Sequence, residues 1–600
     1  MTRPTRLFAT LAVATNLLLV GGAEARAQEC PGGRISFIFV DNHSVFDTDE
    51  IRDGTRFRWA YELANSIHMT TDEAFIRDEL VIREGDCYDP LLLEESERLL
   101  RAYTFVARVD VFGLQQPDGS WHVVVDTKDE WTTKLNLNVN LEEGVQFRGI
   151  SATEENLLGQ GHLLGLFFRQ IDEEKDVGAR FFTPRIFGTR LDVALEGGRT
   201  RTGEFFREEL FYPFVGEVGR LGFRQVVALR DELFPYSVAG EPDFEHVLLP
   251  LDQRRLEVTV AGRLGRPGNL TILGLGFSHE TMEFQAYPEG LEVTRDGFAD
   301  RTAAPPGVAE LVRSQTAHTG STRLNLLFGQ RNVRFVQRQG LDALRGIQDV
   351  EVGTDVALTV GRSIGAFPPG EDQPEDLYTR LRLFGGLAPD QVTVNFAASV
   401  EARRVFSGSE EVQGWRDVIS ELDALLYWQP SALPDHTLFA RLEGAGGWNM
   451  TLPFQLTLGG PEGLRGYHRE NHPGARRVVL SVEDRLYLAW PFPDLFDFGL
   501  TFFADAGRMW GGDVPFGRNS GWKASVGGGL RIGFPAGTRG VARVDIAWPF
   551  EPGAGFRDAV LRISLFDLTG LAGSFEDLQL LRSRRVRVGP DLIQQERPHG

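Results

Sequence analysis

At 600 residues the chain exceeds an ordinary single domain, and its formal net charge of −21 excludes nucleic acid as a partner, because phosphate binding needs clustered Lys and Arg. After Val20 no uninterrupted apolar run reaches about 18 residues, so the mature chain offers no membrane-spanning helix. A bilayer-spanning form of it must therefore be a closed barrel of strands.

Residues 1–27 read as a cleaved export signal. Arg3 and Arg6 give the positive start, residues 7–20 are mostly apolar, and Ala25-Arg26-Ala27 is a small-x-small cleavage site. Cys30 follows Gln28 and Glu29 rather than small residues, which disfavours a lipoprotein. Export leaves two readings for Cys30 and Cys87, the only cysteines: a disulfide, or two unpaired thiols.

Residues 28–130 read as an α/β module. A β-type run at 35–40 comes first, then helical patterns at 71–80 and 90–103, with Leu91, Leu92, Leu99 and Leu100 at helical spacing. Runs at 106–113 and 121–127, split by Gln116-Pro117-Asp118-Gly119, make a hairpin. The order β-α-α-β-β, with Gly85-Asp86-Cys87-Tyr88-Asp89 before the second helix, resembles a POTRA domain. The stretch 46–69 is long for that module and reads as an added helical segment, with Trp59, Tyr61, Leu63 and Ile67 on its buried side.

From 131 to 568 short runs of alternating apolar and polar residues recur between turns rich in Gly, Pro, Asp and Arg, as in Leu135-Asn136-Leu137-Asn138-Val139-Asn140-Leu141. Such alternation fits strands with one lipid-facing side. Somewhat more than 16 candidate strands can be counted. The polar stretches 231–252 and 282–319 read as long outer loops. Residues 569–600, with Arg582, Arg584, Arg585 and Arg587 close together, read as a disordered periplasmic tail.

Two patterns imitate enzyme motifs. Gly361-Arg362-Ser363-Ile364-Gly365 matches a nucleophile elbow, but Pro368 and Pro369 forbid the helix that motif needs. Gly159-Gln160-Gly161 brushes the dinucleotide fingerprint without a surrounding βαβ unit. Histidines and cysteines form no cluster with metal-ligand spacing. The reading is a non-enzyme with neither cofactor nor metal.

The most informative residues come late. Gly459, Gly460, Arg465, Gly466 and Tyr467 lie on a glycine-rich loop, and Phe503-Ala504-Asp505-Ala506-Gly507 lies on a downstream strand. By strand alternation Phe503, Asp505 and Gly507 share one face, as do Glu483 and Arg485 on the strand between. Asp484 then falls on the lipid side. The Arg465 fork matches a carboxylate, so Asp505 takes it bidentately and Glu483 completes the site; in a wet lumen the contact is worth about one or two kcal/mol.

This loop and strand resemble the Omp85 superfamily, in its BamA/TamA-like (D15 surface antigen) group of outer-membrane barrels, whose Arg-Gly-aromatic loop tip is received by a Phe-x-Asp-x-Gly strand. The resemblance implies a mainly β fold, a 16-stranded antiparallel transmembrane β-barrel in a Gram-negative-type outer membrane with one POTRA-like module in the periplasm. It implies that Arg465 is the tip of an inward plug loop and Glu483, Phe503, Asp505 and Gly507 its lumen acceptors. It further implies insertion or translocation of unfolded β-rich client polypeptides through a lateral seam, with outer-membrane lipid around the barrel and a periplasmic partner at the module. The alternative is a passive or lipid-handling pore gated by the same loop.

Overall fold

The computed structural model describes residues 30–45, 65 and 68–564, apart from 142–144, 172–173, 242, 285–290, 296–299, 366–373, 408–412, 461–462, 469–470, 492–494 and 539. The export signal, most of the added segment 46–69 and the tail 569–600 lie outside the described residues.

The N-terminal module contains β1 (Ile35–His43), α1 (Glu73–Glu79), α2 (Pro90–Arg101), β2 (Val106–Gln115) and β3 (Trp121–Asp129). Both helices begin where a short carboxylate can cap them: Asp72 accepts from Ala74 N–H at 2.9 Å and Asp89 from Leu91 N–H at 3.0 Å, with Pro90 at the first helical position. The sheet order is β1-β3-β2, with β1 parallel to β3 and β2 antiparallel to it. Its inner face buries Ile38, Val109, Val123 and Val125 against Phe75, Ile76 and Leu100 of the helices. Cys30 and Cys87 are disulfide-bonded. Closing a 57-residue separation is worth about 4 kcal/mol in the chain-entropy account. A full-length Cys30→Ser/Cys87→Ser variant is therefore expected to be cut by protease within the module faster than the parent, with the barrel bands unchanged; equal cutting rates would show the bridge to be dispensable.

The rest of the chain runs up and down a single wall. Its first strands are β4 (Thr133–Leu141), β5 (Val145–Leu157), β6 (His162–Ile171), β7 (Glu174–Ile186), β8 (Leu191–Arg199) and β9 (Glu204–Tyr212). Next come β10 (Leu221–Ser237), β11 (His246–Arg266) and β12 (Asn269–Phe284), then an insertion holding β13 (Glu292–Thr294), β14 (Thr302–Ala303) and α3 (Pro306–Gln315). The wall resumes with β15 (Thr319–Gln339), β16 (Ile347–Ser363), β17 (Asp376–Leu387), β18 (Val392–Val405) and β19 (Gly414–Trp428). It ends with β20 (His436–Trp448), β21 (Arg476–Leu488), β22 (Asp497–Trp510), β23 (Gly521–Gly533), β24 (Ala542–Pro549) and β25 (Val560–Ser564). β12 pairs directly with β15, and β25 pairs with β4, which closes the barrel.

Among the described residues the wall has twenty staves, not the sixteen that the resemblance implies. The reason is economy of chain: many staves are 9 to 13 residues long and joined by turns of a few residues, so four more fit in the same length. The stretch 231–252 is likewise no loop for most of its length, since Asp231–Ser237 and His246–Asp252 are paired extensions of β10 and β11. Period-two alternation leaves Leu164 and Leu166, Leu273 and Leu275, Leu324 and Leu326, Leu480 and Val482, and Phe502 exposed on the outside. The alternate positions bury Arg224, Glu257, Arg323, Asp376 and Glu483 inside. An apolar exterior over a charged interior is what a lipid-facing wall requires.

Because the stave number is even, the wall begins and ends at the same rim, here called proximal, where the module also sits. Arg101 of α2 forks onto Asp349 at 2.8 and 3.1 Å, Arg98 stacks on Phe335 at 4.3 Å, and Arg190 bonds the last carbonyls of α1. The turn at Gly159-Gln160 receives the start of α1: Gln160 donates to Asp72 and Gly159 carbonyl accepts from Asp72 N–H. A Cβ on Gly159 would meet the Thr70 carbonyl oxygen at 2.5 Å and one on Gly161 the Phe75 ring at 2.8 Å, so the close approach of the module accounts for both glycines. Ser363, the centre of the false elbow, ends β16 with its hydroxyl bonded to the Asp376 backbone.

The staves differ in how much partner they hold. Among the described residues β25 pairs with β24 over Val560–Ser564 and with β4 over Leu561–Ser564. Neighbours such as β21 and β22 pair over thirteen residues.

Candidate functional site

Residues 449–475 leave the distal end of β20 and return at β21, and between those points the chain turns into the lumen. Met450, Leu452, Phe454, Leu456, Leu458 and Leu464 are buried together with Ile419, Val479 and Met509, which point inward from β19, β21 and β22. A loop this apolar has no reason to stand in water, and the lumen supplies its core. Gly459 and Gly460 start the turn at the tip, where Gly460 N–H donates to Tyr467 carbonyl and Leu464 N–H to Leu458 carbonyl.

At the tip Arg465 is 9 % exposed and Asp505 2 %. Arg465 Nε donates to Asp505 Oδ2 at 3.0 Å and Nη2 to Oδ1 at 2.6 Å, a two-pronged contact, while Nη1 donates to Glu483 Oε1 at 2.5 Å. The guanidinium lies 3.6 Å above the Phe503 ring. Asp505 also takes Arg465 N–H and the Ser525 hydroxyl. Register explains the grouping: Glu483 is directly opposite Phe503, and Asp505 is opposite Ser481 on one side and Ser525 on the other. Both partners are buried, so the one or two kcal/mol expected for a wet lumen understates the cost of breaking the site.

Two glycines make the docking possible. A Cβ on Gly507 would meet Leu458 at 3.0 Å and Leu464 at 3.3 Å, and one on Gly466 would meet Ser525 Cβ at 2.6 Å and the Trp548 backbone at 2.8 Å. Phe-x-Asp-x-Gly is thus a stacking ring, an acceptor and a space, on one face of one strand. Beyond Gly466, Tyr467 donates to Glu551 at 3.2 Å, and its carbonyl accepts from Arg562 of β25 at 2.9 Å. Asp484, expected awkwardly on the lipid side, is two thirds covered and paired with His436 at 2.8 Å near the proximal rim.

Sequence reasoning missed four participants. Arg485 donates to Glu483 Oε2 at 2.8 Å and to Asp342 Oδ1 at 3.1 Å, and Ser525, Glu551 and Arg562 hold the tip from β23 onward. Only Arg485 carried a signal, since it shares the inward phase of Glu483. The described residues contain no grouping of His, Cys, Asp and Glu able to hold a metal ion.

Residues 434–565, from the turn before β20 through β25, match the Omp85 superfamily domain. The matched stretch includes the whole loop, the strands β21 and β22 that hold its partners, and β25. No curated protein matches in sequence. Among solved structures, BamA from Haemophilus ducreyi lacking POTRA domains 1–3 is similar at 13% identity over 89% of this chain and 85% of that one, with a TM-score of 0.33. CdiB from Acinetobacter baumannii is similar at 13% identity over 89% and 73%, TM-score 0.40, and CdiB from Escherichia coli at 11% over 91% and 93%, TM-score 0.36. At such scores these likenesses add nothing to the fold read from strand pairing.

Proposed function

We propose that this Omp85 protein assists the insertion or translocation of β-rich polypeptides at the outer membrane, using the β4–β25 junction as a lateral seam and residues 449–475 as an inward plug. On this reading the proximal rim faces the periplasm, and the POTRA-like module at 28–130 meets clients and periplasmic partners there.

The observation that carries the reading is the brevity of the β4–β25 pairing, which among the described residues spans four residues, against thirteen between β21 and β22. A short junction is the cheapest place to open, and opening exposes two unpaired strand edges onto which an incoming strand can add by backbone hydrogen bonding. A passive pore is the weaker reading, because the buried loop fills the lumen beside β19–β22 and α2 lies at the proximal rim.

The test is a disulfide across the facing positions 561 and 141. Leu561→Cys/Leu141→Cys protein, oxidised in vesicles, is expected to lose client insertion and to regain it on reduction, with reductant alone leaving the parent chain active. A locked protein that still inserts clients would remove the seam from the mechanism.

A further inference from the structure

Turns at the proximal rim of such barrels are short and polar. The one joining β15 to β16, residues 340–346, is set apart by burial: its Leu341, Asp342 and Ala343 are each 1 % exposed. The turn leaves its own part of the wall and reaches β19–β23. Thr437 donates to Gly340 carbonyl at 2.9 Å, Tyr427 to Asp342 Oδ1 at 2.8 Å, Arg531 to Asp342 carbonyl at 2.6 Å and Arg485 to Leu341 carbonyl at 2.7 Å. Arg345 pairs with Asp497 at 2.5 Å, where β22 begins. Between β16 and β21 lie four staves, so the turn crosses roughly 24 Å of wall at about 4.8 Å per strand spacing. It carries its own small core, with Leu341 packed among Val350, Val352, Leu425, Tyr427 and Phe439.

We propose that residues 340–346 are a second plug, entering the lumen from the proximal rim, and that Asp342 joins it to the first. The two plugs meet on one ionic layer: Asp342 accepts from Arg485, Arg485 donates to Glu483, and Glu483 accepts from Arg465. Above this layer is the apolar core of the 449–475 loop, below it that of the turn, and Arg485 stacks on Phe439 of the lower core at 4.0 Å. A twenty-stave wall is wide enough to conduct if emptied, so closure from both sides has a purpose. Release of the outer loop alone then leaves the barrel shut. The inference concerns permeability and stands whether or not the seam opens.

Single-channel conductance in planar bilayers tests it with four proteins: the parent, Arg465→Ala, a variant with residues 341–345 replaced by five Gly and Ser residues, and the combination. The parent and both single variants are expected to stay closed apart from brief openings, and the combination to conduct at least on the order of ten-fold more than either single. A single variant that conducts as much as the combination, currents that merely add, or a combination that stays closed would each overturn the two-plug reading. Heat-modifiable mobility on gels confirms that each barrel has folded. Asp342→Ala/Arg345→Ala, which keeps the main chain and removes the side-chain contacts of the turn to Tyr427 and Asp497 and the carboxylate that Arg485 bonds, replaces the Gly-Ser variant if that one does not fold, with the same expected pattern.

Discussion

Arg465→Ala is expected to free the 449–475 loop from the lumen and to destabilise the folded barrel by about 3 to 5 kcal/mol, the range for removing one partner of a buried ion pair. The size follows from what stays behind. Asp505 would be left with the Ser525 hydroxyl, losing the side-chain donors and the backbone N–H of residue 465 together, and Glu483 would keep Arg485 but lose its closest donor. Arg465→Lys should recover little of this. An ammonium cannot present two parallel N–H groups to Asp505 while a third reaches Glu483, and it stacks less well over Phe503 at 3.6 Å. Two measurements check the outcome: protease cleavage within 449–475 in intact outer-membrane vesicles, and the temperature at which the barrel loses its folded mobility. An Arg465→Ala loop as resistant as the parent's would mean that the apolar core of Leu456, Leu458 and Leu464 holds the plug unaided.

How much of this was legible in the sequence depended on how local each signal is. Strand alternation is a property of neighbouring residues, and it placed Phe503, Asp505 and Gly507 on one face and Glu483 with Arg485 on another before any pairing was known. The capped helices and the hairpin of the module were legible for the same reason, because Asp72, Asp89, Pro90 and Gly119 act within a few residues of themselves. Closure is not local. Nothing in residues 340–346 reveals that their neighbours across the lumen are Tyr427, Arg485 and Arg531, since that depends on how many staves separate them. The stave number escaped for the same reason. A short turn and the middle of a long alternating strand differ by one or two residues of Gly or Asp, and the tall pairing of β10 with β11 carries enough charge to pass for a loop. The burial of the site was invisible too, because it is created by leucines of a loop that had no periodicity to announce a buried role.

The second large expectation concerns the last stave. Arg562 lies on β25, buried to 9 % exposure, and donates to Tyr467 carbonyl at the tip of the plug loop at 2.9 Å. Among the described residues β25 is held by a five-residue ladder with β24 on one side and a four-residue one with β4 on the other. A charged donor to a buried carbonyl is worth about 1.5 to 3 kcal/mol, so Arg562→Ala should raise local opening of β25 by roughly ten- to hundred-fold. Hydrogen exchange on the full chain reads this directly. Amides of 560–564 are expected to exchange faster in Arg562→Ala while those of 463–467 keep the parent's rates, since Arg465 still grips Asp505. In Arg465→Ala both segments should speed up, because losing the tip withdraws the carbonyl that Arg562 bonds. That asymmetry distinguishes a loop that governs the seam strand from two segments that merely touch. Identical β25 exchange in Arg562→Ala and the parent would show that the plug and the seam are mechanically separate, and opening of the seam would then need a trigger other than movement of the loop.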